Sequence, residues 1–325
     1  DVPLAGLTQA QLDSLPVPAA LIEDLYPLAP MQQGMLFHSL FEQGGGHYIN
    51  QMRVDVKGLD VPRFRLAWQA AVDRHEVLRA NFVTCFQHPL QVIRRQLELP
   101  FTYLDWAGIA EQGAAVDSWA EADLRKGFDL QHDPLLRLAV IRTSEASCHL
   151  VFTSHHILMD GWSNAQLLAE VLQAYAGVPN GGVTGRYRDY IEWLQRQDAG
   201  QAQAFWQQQL HDLNEPTRLA LAIRQDKARL GTGYGEHQQR LSEQQTQALA
   251  AFARQQRVTV NTLVQAAWLL LLQRYTGQSC VSFGATVSGR PAELRGVEQQ
   301  LGLFINTLPV GAKPLPLERG AERVA

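Results

Sequence analysis

Cysteine is scarce in this chain: Cys85, Cys148 and Cys280 are the only three among 325 residues, and they lie far apart. No CxxC spacing links them, so neither a zinc cage nor a disulfide framework is expected. Three separated thiols fit a reducing compartment, and a cytoplasmic location is expected. A dominant charge is lacking as well. The chain has 28 Lys and Arg against 32 Asp and Glu, a formal net charge of -4, so no broad basic face for nucleic acid is implied. Long apolar runs are absent: the longest, Thr262 to Leu272, is too short to span a bilayer and reads as a core helix. No signal peptide is visible at the start. There is no H-E-x-x-H and no G-x-S-x-G, which removes the metalloprotease and serine-elbow patterns. What is present is ordinary for a soluble enzyme, with 46% hydrophobic and 18% charged residues.

The most distinctive run is HHILMDG, from His155 to Gly161. It follows an apolar stretch, Cys148 to Ser154, that reads as a buried strand. It precedes a helical pattern that starts at Ser163, a candidate N-cap, and stops at Gly177. The two imidazoles are therefore expected on a short strand-to-helix loop, where a rigid scaffold presents reactive groups. A single histidine on an apolar strand is ordinarily a hydrogen-bonded core residue. Neighbouring strand residues point to opposite faces, so His155 and His156 do not suit one metal ion, and no metal is expected. What remains is one imidazole facing a cavity, its neighbour facing inward, and Asp160 holding the loop.

HHILMDG is similar to the HHxxxDG signature of the condensation domains of non-ribosomal peptide synthetases, and of the wider chloramphenicol-acetyltransferase-like superfamily. Four further runs resemble that family's motifs, in the family's order. They are YPLAPMQQGMLFH (Tyr26 to His38), RHEVLRANF (Arg74 to Phe82), YRDYIEW (Tyr187 to Trp193) and LGLFINTLP (Leu301 to Pro309). The resemblance implies an α/β fold of two acetyltransferase-like lobes in a V-shaped pseudo-dimer, with the active site in a tunnel between them. Residues 1–25 are expected to be a leader from an upstream carrier domain, 26–178 the N-terminal lobe and 179–325 the C-terminal lobe. The chain ends soon after the fifth motif, so the second lobe is expected to be incomplete at its C-terminus. Apolar surface would then be exposed around Leu301, Phe304 and Ile305.

The implied reaction is attack of an amine on a thioester, giving an amide and a free thiol. Both substrates would hang on the phosphopantetheine arms of upstream donor and downstream acceptor peptidyl carrier domains, beside an adenylation domain. The resemblance implies no cofactor on the domain itself, and no nucleic acid or membrane partner. His156 matches the family's catalytic second histidine. The nucleophile is an α-amine with a reference pKa near 8, so about a tenth of it is already neutral at pH 7. Deprotonating it beforehand gains at most about 1.4 kcal/mol. The larger gain comes later, when attack produces a positive nitrogen and a negative oxygen that an imidazole can relieve or stabilise.

His155 is expected to support the loop by hydrogen bonding. Asp160 corresponds to a salt-bridge anchor, with Arg290 or else Arg79 as its partner, because a buried unpaired carboxylate costs several kcal/mol. Gly161 is either a turn glycine or a backbone amide facing the oxyanion. Trp162 and Ser163, beside the loop, and Asn306, near a strand end, are candidate substrate-tunnel residues. Arg74, His75 and Arg79 are expected to secure the first lobe, His38 to sit as a polar group on a helix, and Tyr187 and Trp193 to pack between the lobes. PMQQGMLFHSL and HHILMDGWS resemble the subgroup that joins a D-configured donor to an L-aminoacyl acceptor. Gly44, Gly45 and Gly46 lack the Asp of the dual epimerising subgroup. The alternatives are an epimerisation domain, a coenzyme A-dependent acyltransferase and a non-catalytic carrier-docking module.

Along the chain, Phe64, Ala67, Trp68, Ala71 and Val72 recur at helical spacing after Pro62. ANFV, PLQVIRR and LLRLAVIRT read as strands, with a helix around Gly113 to Gly127. The stretch Gly177 to Arg186 reads as a flexible boundary between lobes. Beyond it, Ser242 and Gln245 form a capping-box pattern. Asn261 to Tyr275 is apolar nearly all round and is expected to be buried. Ser279 to Val287 reads as a central strand.

Overall fold

A computed structural model of the protein describes residues 3–41, 48–179, 181–182, 185–219 and 237–312. Gly44, Gly45 and Gly46, parts of the 177–186 stretch and residues 313–325 lie outside the described residues. The chain divides into two compact units, Asp1–Gln197 with Val287–Asn306, and Asp198–Thr286 with Thr307–Ala325.

The first unit is built on two sheets. One has the order β1-β4-β3, from strands β1 (Ile22–Pro27), β3 (Ala80–Val83) and β4 (Leu90–Arg94), all antiparallel. The other has the order β2-β7-β6-β5, from β2 (Ile49–Lys57), β5 (Phe101–Asp105), β6 (Leu136–Arg142) and β7 (Ser147–His155); only the β5–β6 pair is parallel. The unit's helices are α1 (Gln9–Asp13), α2 (Pro30–Phe41), α3 (Val61–Arg74), α4 (Gln112–Lys126), α5 (Gly161–Tyr175) and α6 (Tyr187–Gln195).

Local chemistry explains these starts and stops. Asp60 caps α3 by accepting from the Arg63 amide, and Pro62 occupies the first turn, where its missing N–H is not needed. The apolar stripe of α3 is buried in full: Phe64, Ala67, Trp68, Ala71 and Val72. Trp68 lies against Phe152 of β7 with ring centroids 4.7 Å apart. Burial of each such aromatic contributes about 1.5–3 kcal/mol. Leu7, Leu12 and Leu15 of the N-terminal segment pack on a small cluster that includes Ile22, Leu25 and Val92. Residues 22–25 are already part of β1, so the sheet begins inside the segment expected to be leader.

The division between units falls at Gln197 rather than at residue 178. The reason is α6, which buries Tyr187, Tyr190 and Ile191 in the first unit's core. Tyr187 and Trp193 therefore pack within this unit and not between lobes: Tyr187 meets Phe304 edge-on at 5.3 Å, and Trp193 stacks on Tyr190. Leu301, Leu303 and Phe304 are 4%, 0% and 0% exposed, which corrects the expectation of exposed surface there. They return to the first unit's core.

The second unit holds α7 (Ala199–Gln209), α8 (Glu243–Gln255), α9 (Val260–Thr276) and all but one end residue each of β8 (Val281–Val287) and β9 (Asn306–Ala312). Ser242 and Gln245 make the expected capping box on α8, and Gly277 ends α9 with φ at +69°. β8 pairs with β9 in a two-stranded sheet and is not a central strand among the described residues. Thr217 exchanges two hydrogen bonds with the Ser282 backbone.

Helix α9 also departs from expectation. Only Leu269 and Leu272 are buried, against Val281, while Val264, Trp268, Leu271 and Tyr275 are 56%, 41%, 46% and 65% exposed. Their spacing places them on one helical face with no partner among the described residues. Such a stripe promotes association. Trp268→Ser combined with Leu271→Gln is expected to reduce self-association in light scattering while changing stability by about 0.5 kcal/mol or less.

Candidate active site

Strand β7 delivers the histidines. Its register with β2 sets Ile49 opposite His155. One residue further, the His156 amide donates to the Tyr48 carbonyl at 2.6 Å. On the other side the His155 amide donates to the Leu135 carbonyl at 2.9 Å. The backbone is thus held from both flanks at the point where the strand ends.

His155 is 3% exposed. Its Nδ1 accepts from the Ile157 amide at 3.1 Å, which leaves the ring proton on Nε2, facing Ser39 Oγ at 3.4 Å. Burial, with the neighbouring His156 adding to it, pushes the His155 pKa from 6.5 down to about 4, so the ring is neutral at pH 7. A depressed histidine pKa means that the unfolded chain takes up the proton first as pH falls. Stability is then complete above pH 6.5 and declines towards pH 4, by about 3 kcal/mol from this group. Urea unfolding of the native chain and of His155→Asn, which keeps an acceptor near Nδ1, checks this. The native chain is expected to lose more stability than the variant between pH 7 and pH 4; equal losses count against it.

Asp160 ends the loop and starts α5. It is 1% exposed, and its Oδ1 accepts from the Ser163 amide at 2.8 Å. Asp160, not Ser163, is therefore the N-cap; the cap lies three residues earlier than expected because the Asp160 carboxylate takes the Ser163 amide while the Ser163 hydroxyl is engaged by Gly302 and Arg290. Oδ2 accepts from the Phe304 amide at 3.0 Å, and the Asp160 amide donates to the Gly302 carbonyl at 3.1 Å. Arg290 Nη2 stands 3.5 Å from Oδ1, with the two side chains 4% and 1% exposed. The guanidinium also donates to Ser163 Oγ at 2.8 Å and to the Gln300 carbonyl at 2.9 Å, and lies 4.1 Å from the centre of the Phe304 ring. Burial pulls the Arg290 pKa down and Asp160 opposes that pull. Backbone amides are thus the nearer partners of the carboxylate, and the cation is a longer-range one.

Ser163 Oγ donates to the Gly302 carbonyl and accepts from the Gly302 amide and from Arg290. Its one donor and two acceptor positions are used, so it is not available to a substrate. Trp162 is 59% exposed and ties its indole N–H to the Glu298 carbonyl at 3.0 Å. Gly161 is exposed, and a Cβ built there would meet nothing within 4 Å, so packing does not demand a glycine. Arg79 is elsewhere: it pairs with Glu23 at 3.0 Å, which rules it out as the partner of Asp160. Asn306 opens β9, two residues beyond Phe304. Arg74 and His75 both meet Glu170. His38 lies on α2, its Nδ1 3.3 Å from the Tyr48 hydroxyl.

His156 differs from its neighbours. It is half-buried, and its Nδ1 is buried with no hydrogen-bond partner. The structure therefore brings His155, His156, Asp160, Gly161, Trp162, Ser163 and Arg290 together at the β7–α5 junction. Every other polar side chain there is tied, and one imidazole is not. Among the described residues no group of three or more His, Cys, Asp or Glu is placed to hold a metal ion, and no helix is long and apolar enough to cross a membrane.

One residue given no role by sequence reasoning takes part. Gln32, on the buried face of α2, donates from Nε2 to the Ile157 carbonyl at 3.2 Å. Its position in the first motif is visible in the sequence, but nothing local reveals a bond to a residue 125 positions away.

The chain as a whole is similar to known proteins. The family model described as Condensation domain matches residues 22–325. One of the linear gramicidin synthase subunits of Brevibacillus parabrevis is 43% identical over 319 residues, covering 95% of this chain and 4% of that protein. Bacitracin synthase 3 of Bacillus licheniformis is 36% identical over 296 residues, covering 89% of this chain and 5% of that protein. The chain thus spans a small part of these relatives. Among solved structures, the cyclization-docking bidomain of the EpoB NRPS from Sorangium cellulosum has a TM-score of 0.76 at 20% identity, over 95% of this chain and 64% of its own. The first condensation domain of the calcium-dependent antibiotic synthetase has a TM-score of 0.68 at 21% identity, over 92% and 72%. These two likenesses concern the α/β fold.

Proposed function

The chain belongs to the condensation-domain family, and on that premise we propose that it transfers the acyl group of a carrier-bound thioester to the amine of a carrier-bound aminoacyl acceptor. A C–N bond forms, the C–S bond breaks, and the donor's phosphopantetheine leaves as a thiol. The observation that carries this reading is the half-buried His156 imidazole with an unpartnered Nδ1, on a loop whose other polar side chains are occupied. Nδ1 is itself sealed from solvent, so the nitrogen that meets the amine is Nε2, on a ring that no hydrogen bond has to release first.

In this reading the imidazole positions the amine and takes its proton during or after attack. The Gly161 amide, at the exposed first position of α5, contributes to holding the oxyanion, where the helix N-terminus favours negative charge. His155 keeps the loop backbone in place, and Asp160 with Arg290 fastens the loop to residues 300–304. The same proposal includes a pseudo-dimer of two acetyltransferase-like lobes, donor and acceptor carrier domains with a neighbouring adenylation domain as partners, and a D-configured donor joined to an L-aminoacyl acceptor.

The test uses the full synthetase module with a peptidyl donor and an aminoacyl acceptor loaded on their carriers, the product followed by mass. Amide product, formed faster from the D-terminated donor than from its L epimer, is expected. No amide, with epimerised donor thioester accumulating instead, would overturn the reading.

A further inference from the structure

Helix α2 packs beside the histidine loop, and its buried face carries Gln32, Met35 and Leu36, with half-buried Ser39 one turn further. These lie at i, i+3, i+4 and i+7, a single stripe. Its two apolar members belong to the core. Its two polar members each reach the loop: Ser39 meets His155 Nε2, and Gln32 meets the Ile157 carbonyl.

Gln32 is 1% exposed, and burying a primary amide is costly unless its groups are paired. They are paired in one specific way. Oε1 accepts from the Ala29 amide at 2.9 Å and from Gln91 Nε2 at 3.1 Å. Gln91, itself 0% exposed, donates to the Pro27 carbonyl at 2.9 Å. A buried amide relay therefore runs from the end of β1, through β4 and the start of α2, to the residue that follows His156. The Ile157 peptide groups are held on both sides, the N–H by His155 Nδ1 and the carbonyl by Gln32 Nε2. His156 itself is held by its own amide on the Tyr48 carbonyl. With the backbone on both sides pinned, the direction of its Cα–Cβ bond is set, although no bond touches the ring.

We propose that Gln32 is a positioning residue for the reaction: by holding the Ile157 carbonyl it aims the His156 imidazole at the incoming amine. This rests on the reading of His156 as the reactive group. Loss of the Gln32 bond leaves the fold standing, but the 157–158 peptide is then held only by the Leu158 amide on the His155 carbonyl at 3.2 Å. It can therefore shift, and a reacting group misplaced by about 1 Å costs up to about a hundredfold in rate.

The test compares Gln32→Met with Gln112→Met. Gln112, at the start of α4, donates from one side-chain amide to the Trp106 and Thr143 carbonyls, so it loses similar bonds far from the loop. In the full module, Gln32→Met is expected to lower kcat by about tenfold or more with KM unchanged. Gln112→Met is expected to keep its kcat at a comparable loss in unfolding midpoint. Equal kcat losses at equal stability loss would overturn the proposal, because they would make Gln32 one structural glutamine among others. A second readout does not depend on turnover: in the 325-residue chain labelled at histidine nitrogen, the His156 ring signals, assigned by their loss in His156→Gln, are expected to move in Gln32→Met and to stay in Gln112→Met. Unmoved signals in Gln32→Met also overturn it. A module inactive even as wild type, with the His156 signals still displaced in Gln32→Met, would remove the proposed reaction and leave the positioning intact. Gln32→Glu adds a signature. A protonated carboxyl can donate to the Ile157 carbonyl and an ionised one repels it, so the ratio of variant to wild-type kcat is expected to rise as pH is lowered. A ratio independent of pH argues against the bond.

Discussion

Replacing His156 with alanine is expected to lower amide formation by about a hundredfold or more while costing about 1 kcal/mol or less in stability. The two parts of this expectation have separate physical origins. The ring makes no hydrogen bond among the described residues and is only half-buried, so its removal leaves no orphaned partner and only a small void. The rate loss follows from the proton that must leave the nitrogen once it has attacked the thioester. Prior deprotonation of the amine is worth little near pH 7, so most of the effect should persist when the pH is raised above the amine's own pKa. Single-turnover product formation at pH 7 and pH 9, with unfolding midpoints beside it, separates the possibilities. Full activity at both pH values would remove His156 from the chemistry. A rate loss confined to pH 7 would reduce the imidazole to a simple base for the free amine.

Replacing Asp160 with alanine is expected to cost about 3–5 kcal/mol, a large share of the 5–15 kcal/mol that holds a typical domain together. The carboxylate caps α5, satisfies the Phe304 amide and compensates Arg290. Its loss orphans two buried amides and leaves a guanidinium 4% exposed without its anion. Arg290→Met added to Asp160→Ala is expected to recover part of the loss, because an uncompensated buried cation costs more than an apolar side chain of similar length. Asp160→Asn should be milder, since its oxygen can still accept from the Ser163 amide. Yield of soluble protein and urea unfolding read all three. A stable, folded Asp160→Ala chain that is merely inactive would move Asp160 from anchor to chemistry.

The elements that were legible in the sequence are those whose partners lie within a few residues. The stripe of α3, the strand before the histidines, the capping box at Ser242 and the stop at Gly277 each depend on local spacing, and each is present. Where the reading erred, a distant partner decided. Ser163 is the expected cap of α5, but the cap is Asp160, three residues earlier, which also binds the Phe304 amide. Tyr187 and Phe304 looked like residues between lobes or on an exposed edge, yet each fills the other's surroundings in one core. The apolar composition of α9 promised burial, but a helix face is buried only when something covers it, and among the described residues only Leu269 and Leu272 are.

The order of the motifs and the identity of the histidine pair are written in the residues themselves, because covalent sequence preserves type and spacing. Which imidazole is locked and neutral and which keeps a free nitrogen is decided by strand register, which sets Ile49 against His155, and by Gln32, Ser39 and Gly302 arriving from far along the chain. Hydrogen bonds between remote residues exist only once the chain has closed its loops, and those closures determine which of two chemically identical side chains is left able to react.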